Sequence, residues 1–261
     1  LEGHHGMAKG VAWDPIGRYI ASHGDDHRVI VWDARDWQIV ARVEEPFQRT
    51  SQKTLFRRLG WSSDGQFLCC PHAYKKPVNI AVVLRRPAGV GQDWPQECDF
   101  VGHANPVVCA AFNPRSFRHA AEPGNSASPT TKPGAPYSCC ALGGQDCTLS
   151  IWMTSSPKPL VVVRSLFKED VLDISWAPDG HTLLACSMDG SVGVVRLEPK
   201  EIGVVVGDDE QKALLTRLYG AANMMGPGGL QNAALVESKE MLALEKQRTA
   251  VAAQNKAEVS S

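Results

Sequence analysis

The chain has no run of about 18 apolar residues, the length that would span a bilayer as a helix, and its first residues carry no signal-peptide pattern. An excess of one charge is also missing. Lys and Arg total 27 against 28 Asp and Glu, for a net charge of −1 and a pI near 6.8. That balance gives no general pull toward nucleic acid or an anionic membrane, so direct DNA binding by this segment is not expected. The eight cysteines (Cys69, Cys70, Cys98, Cys109, Cys139, Cys140, Cys147 and Cys186) lack both C-x-x-C spacing and a secretory context. They read as reduced thiols of an intracellular protein. Cys69-Cys70-Pro71-His72 and Cys139-Cys140 with Cys147 come nearest to a metal site, but adjacent strand residues face opposite sides, so buried small hydrophobes is the better reading. There is no G-x-x-x-x-G-K, no G-x-G-x-x-G and no G-x-S-x-G elbow. No cofactor and no enzymatic activity are expected.

What the chain does have is 43% apolar residues, ample for a packed core, arranged in short repeated runs. The first unit is Gly3 to Asp33. Val11-Ala12-Trp13, Tyr19-Ile20-Ala21 and Val29-Ile30-Val31 are separated by turn chemistry at Asp14-Pro15-Ile16-Gly17 and Gly24-Asp25-Asp26. A Gly-His pair opens the unit and Trp32-Asp33 closes it, which is the signature of one WD40 repeat, a single four-stranded propeller blade. The resemblance implies a buried hydrogen-bond chain, with His4, Ser22, Asp26 and Trp32 in its places by spacing. A Ser/His/Asp set also invites a triad reading. Here the serine lies on a strand with no strained elbow, so the structural role is expected.

Three further units follow. Leu59 to Leu68 repeats the Trp13-Asp14-Pro15 pattern, and Val78 to Leu84 supplies another strand, although Gly-His and Trp-Asp are absent. The third unit opens at Val101-Gly102-His103 and closes at Gly144-Gln145-Asp146 with Leu149-Ser150-Ile151-Trp152. His103, Asp146 and Trp152 take the network places there, and a Pro/Gly/Ser/Thr-rich insertion is expected over 115–136 as a mobile loop. In the fourth, Val171 to Gly180 repeats the strand and turn. Asp189 takes the aspartate place and Val195 stands where the others have Trp. The expected architecture is therefore all-β, a WD40 β-propeller segment over 1–200 with blades at about 1–46, 47–98, 99–164 and 165–200. About three more blades are expected upstream of Leu1. Residues 201–261 read as a linker with helical segments, one over Asp208 to Tyr219 with an acidic first turn and Gly220 beyond its end, and one from Leu230 to about Lys256.

A narrower resemblance rests on sequence between the repeats. Asp99-Phe100-Val101-Gly102-His103, Phe112-Asn113-Pro114, Leu149 to Trp152 with Lys158 to Val163, Asp173 to Trp176 and Cys186 to Val192 resemble the HIRA family of histone chaperones. So do Glu201-Ile202-Gly203, Leu218-Tyr219-Gly220 and Glu240-Met241-Leu242, beyond the last repeat. The resemblance implies a nuclear, non-enzymatic scaffold for replication-independent deposition of variant histones, touching histones indirectly. Its propeller would recruit a ubinuclein-type subunit, whereas the anti-silencing-function histone chaperone and a cabin-type subunit would bind regions outside this chain. Rival readings are the WD40 subunit of chromatin assembly factor 1 and a cullin-RING ligase receptor using Trp32-Asp33-Ala34-Arg35. The basic pairs Arg57-Arg58, Lys75-Lys76 and Arg85-Arg86 read as solvated turns that could meet acidic partner segments.

Overall fold

A computed structural model describes residues 1–50, 54–88, 92–119 and 134–220. Four antiparallel sheets carry nearly all of the regular structure. The first is β1 (Ala8–Trp13), β2 (Tyr19–Gly24), β3 (Val29–Asp33) and β4 (Ile39–Val43), paired in chain order. The second is β5 (Gly60–Trp61), β6 (Phe67–Lys75), β7 (Val78–Arg85) and β8 (Gln96–His103). The third holds β9 (Val107–Arg118), β10 (Tyr137–Gly144), β11 (Leu149–Met153) and β12 (Pro159–Val163), and the fourth β13 (Val171–Trp176), β14 (Thr182–Ser187) and β15 (Val192–Arg196). This is an all-β WD40 propeller architecture, each sheet a blade. No helix among the described residues is long and apolar enough to cross a membrane.

Burial follows the sequence pattern blade by blade. The middle two blades are covered on both faces, so β7 and β10 read as continuous apolar runs, and β10 is buried at every position. The fourth blade is covered on one face, so β14 and β15 alternate: Leu183 is buried while Leu184 and Val194 are exposed. The first blade likewise exposes Val11 and Trp13.

Three blades share one turn. Asp14–Gly17, Ser62–Gly65 and Ala177–Gly180 each close with an amide-to-carbonyl bond, and the glycine sits at φ +73, +73 and +77. A β-carbon is strained there, which is why the motif ends in Gly. The residue before the turn joins neighbouring blades: Trp61 Nε1 donates to the Ala12 carbonyl at 3.3 Å, and Trp176 Nε1 to Ala111 at 3.0 Å. Inner strands also meet backbone to backbone, with the Arg58 amide bonding the Val108 carbonyl at 2.9 Å. Gly60 permits that approach, since a β-carbon there would lie 2.8 Å from the Ala110 oxygen.

Three boundaries depart from the sequence reading. The expected division between the second and third blades at 98/99 falls inside β8, whose residues Asp99 to His103 pair with β7 and so close the second blade. Residues 115–118 belong to β9 rather than to a loop, because Ser116 and Phe117 are buried and pair with Ser138 and Tyr137. The remainder of the expected insertion, 120–133, lies outside the described residues, as does the helix expected over Leu230–Lys256. Residues 199–219 are not a free linker. A short helix α1 (Pro199–Ile202) leads into β16 (Val204–Val205), which adds to the third blade opposite Arg118 and Phe117. Helix α2 (Asp208–Tyr219) follows, with Asp208, Asp209 and Glu210 in its first turn and Gly220 after its end.

Candidate functional site

The residues singled out by spacing gather at the ends of the first, third and fourth blades opposite the shared turn. In the first blade the Trp32 indole donates to Ser22 Oγ at 2.8 Å, and Ser22 Oγ lies 2.8 Å from His4 Nε2. His4 Nδ1 lies 2.9 Å from the Asp26 carboxylate, which also accepts the His5 amide at 2.9 Å. An ionised carboxylate only accepts, so Nδ1 carries the proton and Nε2 accepts from the serine: a one-way relay of donors from indole to carboxylate. Ser22 and Trp32 are buried, and both would be costly to bury unpaired.

The third blade has the same relay with its hydroxyl on a different residue, and its histidine comes from the end of β8 in the second blade. His103 Nδ1 meets Asp146 at 2.9 Å, and His103 Nε2 lies 2.8 Å from Ser150, whose hydroxyl takes the Trp152 indole at 2.8 Å. Spacing alone did not single out Ser150, because in the first blade the serine stands on the middle strand. Register explains the change: Ser22 is paired across the strands with Ile30, and Leu142 with Ser150. Cross-strand partners share a face, so the hydroxyl reaches the same point from either strand.

The fourth blade has lost the ring. Asp189 accepts the Lys168 amide at 2.8 Å, as Asp26 and Asp146 accept those of His5 and Ala104. The residue in the histidine place is thus Phe167, buried in the apolar core. The corresponding cross-strand pair is Ala185 and Gly193, and a β-carbon on Gly193 would lie 2.8 Å from the Phe167 ring. An apolar ring, a small pair and Val195 replace imidazole, serine and tryptophan together.

Electrostatics follow the same division. Burial opposes the Asp26 charge, yet the His5 amide and His4 ring outweigh it and hold the carboxyl below its ordinary value. Asp146 is likewise held down, with burial overcome by His103 and by the Ala104 and Thr148 amides. Asp189 falls to about 2 through the Ser191 hydroxyl and the Lys168 and Ser191 amides. In both His–Ser pairs the serine is buried. Each hydroxyl already accepts an indole N–H, and the arrangement recurs in two blades.

The other candidates sit elsewhere. Asp33 is gripped by Arg18 at 2.7 Å and by Arg35 at 3.2 Å, the Arg35 side chain being 60% exposed. Of the basic pairs, Arg57 is fully buried and donates to the Gly24 carbonyl at 2.5 Å, a role that its sequence neighbours do not betray. Arg58 faces Asp173, Lys75 faces Asp99 at 3.1 Å, and Arg86 lies between the Tyr19 and Tyr219 rings. All eight cysteines are free, and among the described residues no three His, Cys, Asp or Glu side chains could hold a metal ion. Burial pushes the Cys98 thiol up to about 12 and raises the Cys70 and Cys139 thiols too.

A family model described as "WD domain, G-beta repeat" matches residues 1–33 and 161–194. Protein HIR1 of Cryptococcus neoformans var. neoformans serotype D is 40% identical over 201 residues, 77% of this chain and 22% of the relative. Protein hir1 of Schizosaccharomyces pombe is 34% identical over 251 residues, 96% of this chain and 24% of the relative. Protein HIRA of Homo sapiens is 37% identical over 291 aligned residues, 95% of this chain and 28% of the relative. The chain is a HIRA-family WD40 region. This HIRA-family region spans about a quarter of the length of those relatives.

Proposed function

We propose that this chain is the propeller part of a HIRA-type histone chaperone, a non-enzymatic nuclear scaffold subunit that supports replication-independent deposition of variant histones and transcriptional regulation. The observation that carries the reading is the reach of the similarity. It covers 95–96% of the chain in the human and S. pombe relatives, and so extends beyond the repeats, where resemblance among propellers in general would stop. The polar relays hold blades together, and the surface they support is the working part, a platform for other proteins. A ubinuclein-type subunit would bind this propeller. An anti-silencing-function histone chaperone and a cabin-type subunit would bind sequence outside it, and histones would be reached through these partners.

Affinity purification of the tagged full-length protein from nuclear extract, read by mass spectrometry, tests the proposal. Recovery of ubinuclein-type proteins is expected. Recovery instead of the large chromatin assembly factor 1 subunit, or of a cullin adaptor lost on Arg35→Ala, would overturn it. Replacing Lys75 and Lys76 by Gln is expected to weaken partner binding, and equal affinity at two salt concentrations would remove that pair from the interface.

A further inference from the structure

After the fourth blade the chain runs back over the earlier blades. Strand β16 adds to the third blade, its pairing prolonged by the Val206 amide donating to the Ser116 carbonyl at 2.8 Å. Helix α2 then crosses the end of the propeller that carries the shared turns. Asp208 meets Arg115 at 2.5 Å, Glu210 pairs with Arg118, and Gln211 takes the Ser116 amide at 3.2 Å. At the far end of the helix the Tyr219 ring lies 3.9 Å from the Arg86 guanidinium, whose own position is 4.8 Å from the Tyr19 ring. Tyr219 also covers Gly65 of the second blade's turn and faces the Asp14 carboxyl of the first. One helix therefore touches three blades.

The two partners are complementary in charge and shape. The blades offer three arginines, Arg86, Arg115 and Arg118, and a seat for an aromatic ring where glycine leaves space. The helix offers three carboxylates in its first turn and a buried tyrosine at its last residue. Yet the fit is not sealed. Asp208 is 80% and Glu210 46% exposed, and Leu214, Leu215 and Leu218 are only half-buried. Exposed ion pairs of this kind contribute little each, so Tyr219 is the main anchor.

We propose that the turn end of the propeller is a docking site for acidic amphipathic helices of partner proteins, and that α2 holds this site in cis. A partner helix with carboxylates in its first turn and an aromatic residue near its end would take the same arginines and the same seat. It binds only as α2 releases. The proposal concerns a surface and does not depend on which chaperone complex the chain serves.

The test is fluorescence anisotropy with a labelled peptide of residues 204–220 added to the whole chain. Tethering gives α2 a high effective concentration, so the wild type should bind the peptide weakly. Tyr219→Ala loosens the tethered helix and leaves the site intact, so peptide affinity should rise by about tenfold or more. Asp208→Lys with Glu210→Lys changes only exposed side chains and should act in the same direction, guarding against misfolding of the first variant. Adding Arg118→Glu to the Tyr219→Ala variant should weaken binding, and a peptide carrying Glu210→Arg should restore it. Unchanged affinity in both loosened variants, or equal binding of a scrambled peptide, would overturn the proposal.

Discussion

The serine of the polar relay can be moved between strands, and the third blade is where to do it. Ser150→Ala leaves two buried groups without partners, the Trp152 indole N–H and His103 Nε2, at positions 1% and 3% exposed. Each orphaned group costs about 1–3 kcal/mol, so the pair should cost about 2–6 kcal/mol of a total stability of about 5–15. For a domain of this size that lowers Tm by about 4–24 °C. Leu142→Ser alone should cost about 2–5 kcal/mol by leaving a cavity. Combining Leu142→Ser with Ser150→Ile reproduces the arrangement of the first blade, Ser22 opposite Ile30, and returns a hydroxyl to the same point. The double variant should therefore lose about 2–3 kcal/mol less than the sum of its singles. Equilibrium urea unfolding of the wild type, Leu142→Ser, Ser150→Ile and the double variant, followed by tryptophan fluorescence and far-UV circular dichroism, completes the cycle, with Ser150→Ala as the test of the orphaned groups alone. Additivity within about 0.5 kcal/mol would refute the claim that the two strands are interchangeable sources of the hydroxyl.

Other perturbations have equally definite outcomes. Cys147 follows Asp146 at φ +59, where the fourth blade has Gly190 at φ +85, so Cys147→Gly should raise stability by about 0.5–1 kcal/mol in a thermal melt, and a loss would contradict it. His23 is fully buried and both its ring nitrogens lack hydrogen-bond partners among the described residues, and burial first, then Arg57 and His72, hold it well below its ordinary value of 6.5. The unfolded chain then takes up the proton first, and stability should fall as pH drops below about 6.5, by up to about 1.4 kcal/mol per unit. His23→Phe should flatten that slope, and an unaltered slope would exonerate the residue. Gly65→Ala meets both a φ of +73 and the Tyr219 hydroxyl, so it should cost more than 1 kcal/mol in urea unfolding. Tyr219→Ala should relieve part of the cost, and strict additivity would argue against the contact.

How much of this was legible in the sequence depends on what the residue does. Strands and turns were plain, because apolar runs such as Val78 to Leu84 and turn glycines such as Gly17 and Gly180 act locally, through sterics and burial. Helix α2 was plain for the same reason, its acidic first turn and Gly220 being local signals. Its resting place was not, since a helix signal is silent about what lies under the helix. Ser150 escaped because only register shows that two strands address one point. Phe167 escaped because its meaning depends on Gly193, which clears room for the ring from another strand. Arg57 looked like half of a surface pair. Its burial depends on the Gly24 carbonyl and on Asp25, over 30 positions earlier in the chain.

The backward path of α1, β16 and α2 also sets an order of events during synthesis. The seat of Tyr219 is built from Asp14, Tyr19, Gly65 and Arg86, all translated long before it. Each blade can pair its own strands as it leaves the ribosome, because those contacts are local. The seat then stands open until the final turn of α2 has emerged. Contacts of such sequence separation form last and slowly, and they tie the blade of Asp14 and Tyr19 to a helix translated after all four described blades. A nascent chain halted before Tyr219 would present the three arginines and the empty ring seat to whatever acidic helix is nearby, which makes translation itself a window in which this surface is uncovered.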